Sequence, residues 1–556
     1  MVYRTIIPYL FTILTACLGI YIYNLFLDFY IDDAALYGTL SKHMIETGDF
    51  LSLIHNHKDW LDKPHFPFWV AALFFKCFGV SPFSYFLPIT LSIFGSFIYT
   101  FKFANKYYHK TTAWLSVFVL ATAQYTFMAS TEGRIEPYLM LAIIASIYHF
   151  DAGFYQKKLG HLTLVSVFVA IAIMTKGIFI IVPIFGGIFG HLFYNKISLK
   201  ELISWRWVFI FLLIFIFILP EIYALYVQFD SQLGKEVFGK KGVSGIRWFL
   251  WDSQFSRLIN SGPITRSKGD VSFFLHTLVW AFFPWCILLY IAFFKRGKQL
   301  FKKDKIAENY TFFGGLFMLM LFSISKFQLP HYISIVFPFY AVLVANTLNN
   351  SFSKKEKKII NITQLLFIVL GVFLLFFLTI ISKSNIYFTS ICILLLVAVI
   401  IKLNNIKLTR TIKYVVFSGC ISIVLNLYAS VNVYAKVSNY RAGIYAAEYL
   451  NDNYAAKSVV TIGKIPNVFD FYANSSVTKF RVLPKDEKLE SEFVLSFLID
   501  SVSTAKILKD YIIEKRFRHY NQENIQLKFF YPKKRANSLT EFVLYKRKDE
   551  AFLTQL

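Results

Sequence analysis

The sequence carries little charge for its length, and this shortage restricts the class of protein. Charged residues make up 16% of the 556 residues, against about 25% in an ordinary soluble domain. Hydrophobic residues make up 56%, and the mean hydropathy is +0.53. Such a composition cannot be arranged as an ordinary soluble globule. We therefore expect a polytopic membrane protein.

Cysteines are also few, and they are in the wrong places for a disulfide-rich domain. All five lie in or beside apolar segments, so the sequence offers neither a disulfide framework nor a cysteine-based zinc motif. A signal-peptide cleavage site is missing from the N-terminus, so we expect the first apolar span to be retained as an anchor. His55 and His57 form a potential metal pair, although exposed loop histidines more often bind nothing.

Apolar stretches of about twenty residues, long enough to cross a bilayer, recur over the first 430 or so positions. We predict about thirteen membrane-spanning helices. Their centres lie near residues 16, 92, 120, 142, 169, 186, 215, 282, 317, 339, 370, 392 and 421. The segment 68–78 is predicted to form a further re-entrant or interfacial helix.

The net charge of +25 comes from basic residues in alternate loops and not from one basic face, so nucleic acid is not an expected partner. These residues follow the second, fourth, sixth, eighth, tenth and twelfth spans. The positive-inside rule places such loops in the cytoplasm. The N-terminus is then inside, and an odd number of spans puts the C-terminus outside.

Two domains are predicted. Residues 1–432 form the membrane domain, and residues 433–556, where the spans give way to turn signals and mixed charge, form a small α/β domain outside the membrane. Ionisable groups near a membrane are costly and therefore mark functional sites. They concentrate in the outer loops 28–67, 130–137, 227–270 and 325–332.

Short polar motifs occur in these loops in a fixed order. They are Asp33 with Tyr37, Trp60-Leu61-Asp62-Lys63-Pro64, Arg134-Ile135-Glu136, Thr175-Lys176-Gly177, Arg257, and Lys326 through Tyr332. In order and spacing they resemble bacterial integral-membrane glycosyltransferases of the GT-C superfamily, especially the aminoarabinose transferase and protein O-mannosyltransferase-like group. The resemblance extends from about residue 20 to about residue 345.

The resemblance implies a GT-C fold in the bacterial cytoplasmic membrane and transfer of a sugar, with inversion, from a polyprenyl-phosphate carrier on the outer face. The acceptor would be a lipid A-type glycolipid, a surface glycan or a protein. Lys63 and Arg257 match phosphate-binding residues, Tyr332 matches a nearby hydrogen-bond donor, and we extend the assignment to Lys326. Cations suit this role because the departing phosphate becomes more negative as the glycosidic bond breaks.

Asp33 and Glu136 match acids of the same group and are the catalytic candidates. A carboxylate that removes the proton of a hydroxyl acceptor contributes about 10²–10⁴-fold. No cofactor is certain, but the resemblance admits a divalent metal ion, for which Asp62 and Asp252 are the candidate ligands. The expected supporting substrate contacts are Tyr37, Trp60, Asp62, Arg134 and Lys176.

Structural roles remain as alternatives for several of these residues. Asp33 could merely flank a span, Asp62 and Lys63 could form a local ion pair, Glu136 could cap a helix, and Lys176 could extend to the interface. For the whole protein, the alternative is a flippase or transporter that moves a lipid-linked sugar without chemistry. A membrane-anchored assembly protein is a third reading, for which one or two spans would suffice.

Overall fold

The computed structural model describes residues 6–548 except 233, 266–268, 351, 383–385, 484–488, 490, 498–506, 508 and 522–525. A helical part that ends near residue 438 is followed by a small sheet domain. The predicted fold class, a polytopic helical membrane protein with a C-terminal α/β domain, is confirmed in this part of the chain.

The membrane part consists of helices joined mostly by short connections. In chain order they are α1 (Ile7–Asn24), α2 (Asp32–Thr47), α3 (Phe66–Phe78), α4 (Pro82–Tyr107), α5 (Lys110–Thr122), α6 (Gln124–Glu132), α7 (Glu136–Tyr155), α8 (Leu159–Lys176), α9 (Ile181–Tyr194), α10 (Leu199–Leu202), α11 (Trp205–Leu225), α12 (Gly245–Arg247), α13 (Ser253–Ile259), α14 (Phe273–Ala281), α15 (Cys286–Phe301), α16 (Tyr310–Ile324), α17 (Phe337–Asn349), α18 (Lys354–Ser382), α19 (Ile386–Asn404) and α20 (Arg410–Tyr428). Short stretches of 3₁₀ or π helix lie at Ile178–Ile180, Tyr226–Asp230, Trp248–Asp252 and Pro330–Val336.

Nine helical segments within the described ranges are long and apolar enough to cross a membrane, and the bent pair α5 and α6 brings the number to ten at most. The predicted count of thirteen is therefore not confirmed. The predicted spans near residues 186 and 317 are the shorter apolar helices α9 and α16. The one near residue 282 is broken between α14 and α15, where Pro284 cannot continue a helix. The extra helix predicted at 68–78 is α3.

The last membrane helix continues further than expected. Its apolar segment runs to Ser438, because π-helical turns at Ala429–Tyr434 and the short helix α21 (Ala435–Ser438) prolong α20. The predicted domain boundary at 432/433 thus falls inside a continuous helix. The sheet domain begins with α22 (Ala442–Asn453).

A five-stranded sheet organises the C-terminal domain. Its strands are β5 (Ser458–Ile462), β6 (Ser476–Phe480), β7 (Phe493–Phe497), β8 (Tyr511–His519) and β9 (Thr540–Arg547), in the spatial order β6-β5-β7-β9-β8. Strand β5 is parallel to β6 and β7, and β9 is antiparallel to β7 and β8. Helix α23 (Val468–Tyr472) follows β5, and the short helices Leu527–Phe530, Pro532–Arg535 and Ala536–Ser538 precede β9. Two hairpins in the outer loops add β1 (Ile54–His55), β2 (Lys58–Asp59), β3 (Glu236–Val237) and β4 (Lys240–Lys241).

The sheet domain rests on the first of the predicted outer loops. The carboxylate of Asp32 accepts hydrogen bonds from the backbone N–H of Asn467 (2.6 Å) and from its side-chain amide (2.7 Å). The hydroxyl of Tyr472 donates to Asp28 (2.7 Å), and the Phe471 ring packs edge-on against Phe29. The first loop is therefore held between the membrane helices and the sheet domain.

Candidate active site

The predicted outer loops converge on a cavity of about 300 Å³. It collects residues from loops that are up to 299 positions apart in sequence, between Asp33 and Tyr332. All of the side chains predicted for the site line this cavity, with the exception of Lys326 and the possible metal ligand Asp252. Those that line it are Asp33, Tyr37, Trp60, Asp62, Lys63, Arg134, Glu136, Lys176, Arg257 and Tyr332.

Two cations share one carboxylate on one wall of this cavity. The Lys63 ammonium donates to Asp62 at 2.6 Å, and the Arg257 guanidinium donates to the other oxygen of Asp62 at 2.5 Å. Arg257 also donates to the Asp62 backbone carbonyl at 3.2 Å. One formal positive charge is left over, and both cations remain at the cavity surface.

Burial and charge act in opposite directions on this group. Burial alone would raise the pKa of Asp62, but Lys63 and Arg257 outweigh it and hold the pKa of this carboxyl below its ordinary value. Burial lowers the pKa of Lys63, and the attraction of Asp62 offsets that effect only in part, while Arg257 adds to it. Asp62 is therefore ionised at neutral pH, and Lys63 loses its proton more readily than an exposed lysine.

The segment behind Lys63 is anchored by a buried pair that the sequence did not indicate. Glu221, at the end of α11, accepts hydrogen bonds from the backbone N–H of His65 and lies 2.9 Å from its ring Nδ1. Neither side chain is exposed. Because Pro64 restricts the backbone of Lys63 and His65 is fixed directly after it, the lysine is held in position over the cavity.

Asp33 is the accessible acid of the site. It lies in the first turn of α2, and one of its oxygens accepts a hydrogen bond from Arg134 at 3.0 Å. Arg134 in turn donates to Glu132 at 3.0 Å. Gly133 makes this arrangement possible, since its φ is +63° and a Cβ there would lie 2.9 Å from Phe86. The left-handed turn at Gly133 ends α6 and directs Arg134 towards Asp33.

Glu136 is buried and already paired. It accepts a short hydrogen bond from Lys176, and the His331 ring lies 3.7 Å from the same oxygen. The other oxygen of Glu136 has no hydrogen-bond partner within the described ranges. The Lys176 ammonium also lies 3.9 Å from the centre of the Tyr332 ring, a cation–π distance. Lys176 is thus part of the buried site. The structural alternative, in which it extends to the interface, does not hold.

Aromatic side chains pack against α2, the helix that carries Asp33. Tyr37 packs edge-on against Trp60 and Phe68, with ring centres 6.2 and 5.4 Å apart. Burial raises the pKa of Tyr37 well above its ordinary value, and the nearby Asp33 and Asp62 charges add to this rise. Tyr37 therefore stays protonated and can act as a hydrogen-bond donor at any physiological pH.

Lys326 and Asp252 occupy other positions. Lys326 is exposed, and its segment is held through the backbone, where its N–H donates to the Leu258 carbonyl at 2.9 Å. Asp252 is paired with Arg247 at 3.2 Å. His331, Phe238 and Phe327 line the cavity instead but were not predicted. Of these, His331 carried a usable signal, since it is an ionisable residue beside Tyr332 at the start of a span.

The residues present do not fit the predicted metal site. Both oxygens of Asp62 are taken by cations, and Asp252 is paired with an arginine. Within the described ranges, no group of three or more His, Cys, Asp and Glu side chains is placed to hold a metal ion. This applies to His55 and His57 as well.

A second, apolar cavity of about 340 Å³ adjoins the first. The two share Lys176, Arg257, Phe327 and Tyr332 on their walls. The other walls are mainly apolar side chains of α9, α13 and α16 and of the turns before α9 and α13, with Trp251 and Phe255 partly exposed at the surface. The charged cavity and the apolar cavity thus meet at Lys176 and Arg257.

Comparisons with known proteins agree with this arrangement. Residues 62–223 match the profile of the dolichyl-phosphate-mannose-protein mannosyltransferase family. The structure is similar to that of ArnT from Cupriavidus metallidurans bound to undecaprenyl phosphate, with a TM-score of 0.73, 14% identity, and coverage of 98% of both chains. The protein therefore has the GT-C fold that the sequence resemblance implied, and the resemblance to this group is confirmed.

The chain spans less than two thirds of the length of two of its sequence relatives. A protein from Aquifex aeolicus (strain VF5) is 26% identical over 355 residues, which are 62% of this chain and 65% of that protein. The undecaprenyl phosphate-alpha-4-amino-4-deoxy-L-arabinose arabinosyl transferase of Wigglesworthia glossinidia brevipalpis is 23% identical over 372 residues, which are 65% of this chain and 62% of that protein.

Proposed function

We propose that this protein is an integral-membrane glycosyltransferase that moves a sugar, with inversion, from a polyprenyl-phosphate carrier to an acceptor on the outer face of the membrane. One observation carries the proposal: a charged cavity and an apolar cavity share Lys176, Arg257, Phe327 and Tyr332. A polyprenyl-phosphate sugar is itself polar at one end and apolar at the other. Its chain would lie in the apolar cavity, its phosphate at Arg257, which lines both cavities, and its sugar in the charged cavity.

Lys63 and Arg257 are the proposed phosphate ligands. As the glycosidic bond breaks, negative charge develops on the leaving phosphate, and cations already fixed by Asp62 would stabilise it without reorganisation. Such donors are worth more in a site that excludes water than in solution. Before the donor arrives, Asp62 holds Lys63 and Arg257 in position. The phosphate of the donor would then compete with Asp62 for both cations. Tyr332 adds a hydroxyl near the same position.

Asp33 is the proposed catalytic acid–base group. Its side chain is 58% exposed, whereas the Glu136 side chain is 2% exposed and tied to Lys176. An acceptor hydroxyl can therefore reach Asp33 and not Glu136. With a hydroxyl acceptor Asp33 would remove the proton as the new bond forms. With a phosphate acceptor, it would orient the nucleophile or stabilise positive charge on the sugar.

The proposed topology has the charged cavity outside and the basic loops inside. Support comes from contacts among the basic loops, which meet away from the cavity: Tyr108 donates to Glu308 at 2.8 Å and accepts from Arg296 at 3.1 Å. The Lys402 ammonium lies 5.7 Å from the ring centre of Tyr9, near the N-terminus. The N-terminus would then be cytoplasmic, and the sheet domain, which rests on the first outer loop, extracytoplasmic.

Deletion of the gene tests the proposal. We expect surface lipids, surface glycans or secreted proteins of the deletion strain to lack one sugar by mass spectrometry, and the chain expressed from a plasmid to restore it. An Arg257→Ala chain should restore it poorly. Identical glycan, lipid and protein profiles in wild-type and deletion strains would contradict the proposed transfer.

A further inference from the structure

A third cavity, which is polar and has a volume of about 280 Å³, lies between α2 and the sheet domain. Its walls come from the last turns of α2, from the β1–β2 hairpin and from the segment that leads into β6. None of the residues assigned above to sugar transfer lines it. Its polar side chains are Thr39, Lys42, His43, Glu46, His55, Asn56, His57, Asp470, Asn474, Ser475, Ser476 and Lys479.

The charges on its walls cancel in pairs. The Lys479 ammonium lies 2.5 Å from a carboxylate oxygen of Asp470, and the Lys42 ammonium lies 3.7 Å from one of Glu46. Lys42 also donates to the backbone carbonyls of Phe471 and Ala473. No net positive charge is left to attract a phosphate. A neutral, strongly hydrogen-bonding ligand fits this balance better than an anion.

Asp470 provides the strongest sign that something binds there. Its side chain is only 8% exposed, and its Oδ1 has no hydrogen-bond partner among the residues that the structure describes. A buried carboxylate oxygen without a donor is costly. Asp470 lines the cavity, and a rotation of its side chain on ligand binding would bring this oxygen to a ligand O–H or N–H.

The remaining groups suit sugar hydroxyls, each of which donates and accepts. Ser475 and Ser476 offer both functions, and the His57 ring offers one donor and one acceptor when neutral. The hairpin that carries His57 is held rigidly, because the Asn56 amide bonds to the backbone N–H (2.9 Å) and carbonyl (3.3 Å) of Lys479 on the edge strand β6. The wall is therefore formed before a ligand arrives.

The position relates this cavity to the active site. Helix α2 lines both cavities. Asp33 and Tyr37 line the charged cavity of the active site, and Thr39, Lys42 and Glu46 line the third cavity. The two groups are centred about seven residues apart, or roughly 10 Å along a helix at 1.5 Å per residue. A chain of a few linked sugars could extend from one cavity to the other.

We infer that this third cavity binds neutral sugar residues of the acceptor and so selects a glycan-bearing acceptor. The inference rests on the proposed transfer reaction and adds the class of acceptor to it. Donor binding does not involve this cavity. Its loss should therefore weaken the use of acceptor while the use of donor stays the same.

Kinetics with the purified full-length chain test the inference. The acceptor probe is the glycolipid and glycan extract of the deletion strain, which holds the unmodified acceptor, and the donor is labelled undecaprenyl-phosphate sugar. We expect Asp470→Asn, and separately Ser475→Trp, which fills the cavity, to raise the apparent KM for the extract about tenfold. The apparent KM for donor should stay within about twofold. Glu541→Gln, an exposed carboxylate at the other end of the sheet paired with Arg516, is the matched control.

The outcomes separate the two proposals. If wild-type protein transfers no label to the extract but labels secreted proteins of the deletion strain, the acceptor site is wrong while the transferase stands; if it labels neither, both proposals fail. If wild-type protein transfers label and folded Ser475→Trp and Asp470→Asn match it in KM for the extract, the acceptor site is wrong while the transferase stands. A rise in the donor KM instead would also overturn it.

Discussion

The guanidinium of Arg257 lies 2.5 Å from the carboxylate of Asp62, a residue 195 positions earlier in the chain. This contact joins the first outer loop to the loop after α11 and places two cations, Lys63 and Arg257, on one acid. Removing either cation leaves the other more strongly neutralised by Asp62. The wall of the cavity therefore works as a unit in binding a phosphate.

Arg257→Ala should reduce kcat/KM for the lipid-linked donor by about 10²–10³-fold, since one preorganised cation is lost from the leaving group. The chain offers a matched control in Arg247→Ala, because Arg247 is in the same outer loop but is 73% exposed and paired with Asp252. Steady-state kinetics of both purified variants check this. Equal kinetics for folded Arg257→Ala and Arg247→Ala would remove Arg257 from the donor site.

The alkaline limb of the pH profile should report Lys63. Its pKa is lowered by burial, so its charge is lost as pH rises through a value below about 10.4. The donor kcat/KM, which reflects the free enzyme, should fall over that range. Lys63→Arg keeps its charge at every pH measured and should lose this fall. An unchanged alkaline limb in Lys63→Arg would assign the fall to another group.

Narrowing the apolar cavity should make the enzyme sensitive to the length of the lipid. Val182 lines that cavity, and Val182→Trp should raise the KM for an undecaprenyl donor about tenfold. A donor with a two- or three-isoprene chain, which needs less of the cavity, should be affected much less. Val369→Trp is the control, since Val369 is exposed on α18 away from the cavity. Equal effects on long and short donors would contradict a lipid-binding role.

Cysteine labelling in intact cells should report the topology. The exposed Cys77 is first replaced by serine, and the other four cysteines are buried. A membrane-impermeant maleimide should then modify Ser475→Cys, on the sheet domain, and leave Lys298→Cys unmodified until the cells are lysed. The reverse pattern would place the cavity in the cytoplasm.

The structure brings most of the side chains predicted for the site to one cavity, whereas it does not confirm the predicted number of spans. Asp33, Lys63, Glu136 and Arg257 stand out because an ionisable side chain in an apolar region is costly and easily recognised. The count of thirteen spans is not confirmed because hydropathy does not distinguish a spanning helix from a shorter apolar helix packed inside the protein. Helix α16 is such a case.

Pairing within the site could not be read from the sequence. Whether Lys176 extends to the interface or meets Glu136 depends on how α7 and α8 pack, which periodicity does not specify. The direction of Lys326 was missed for a similar reason: its backbone is fixed to Leu258, and its side chain is left exposed. The pair of His65 and Glu221 joins residues 156 positions apart, and neither lies in a motif.

Release of free polyprenyl phosphate tests the central claim most directly. Purified protein in liposomes is given undecaprenyl-phosphate sugar labelled in the lipid, with acceptor extract from the deletion strain. We predict that the wild type releases labelled undecaprenyl phosphate only when acceptor is present, and that with a hydroxyl acceptor folded Asp33→Asn releases it at least about 10²-fold more slowly. Movement of intact labelled donor across the bilayer with no cleavage, at the same rate in both proteins, would contradict a transferase and favour a flippase.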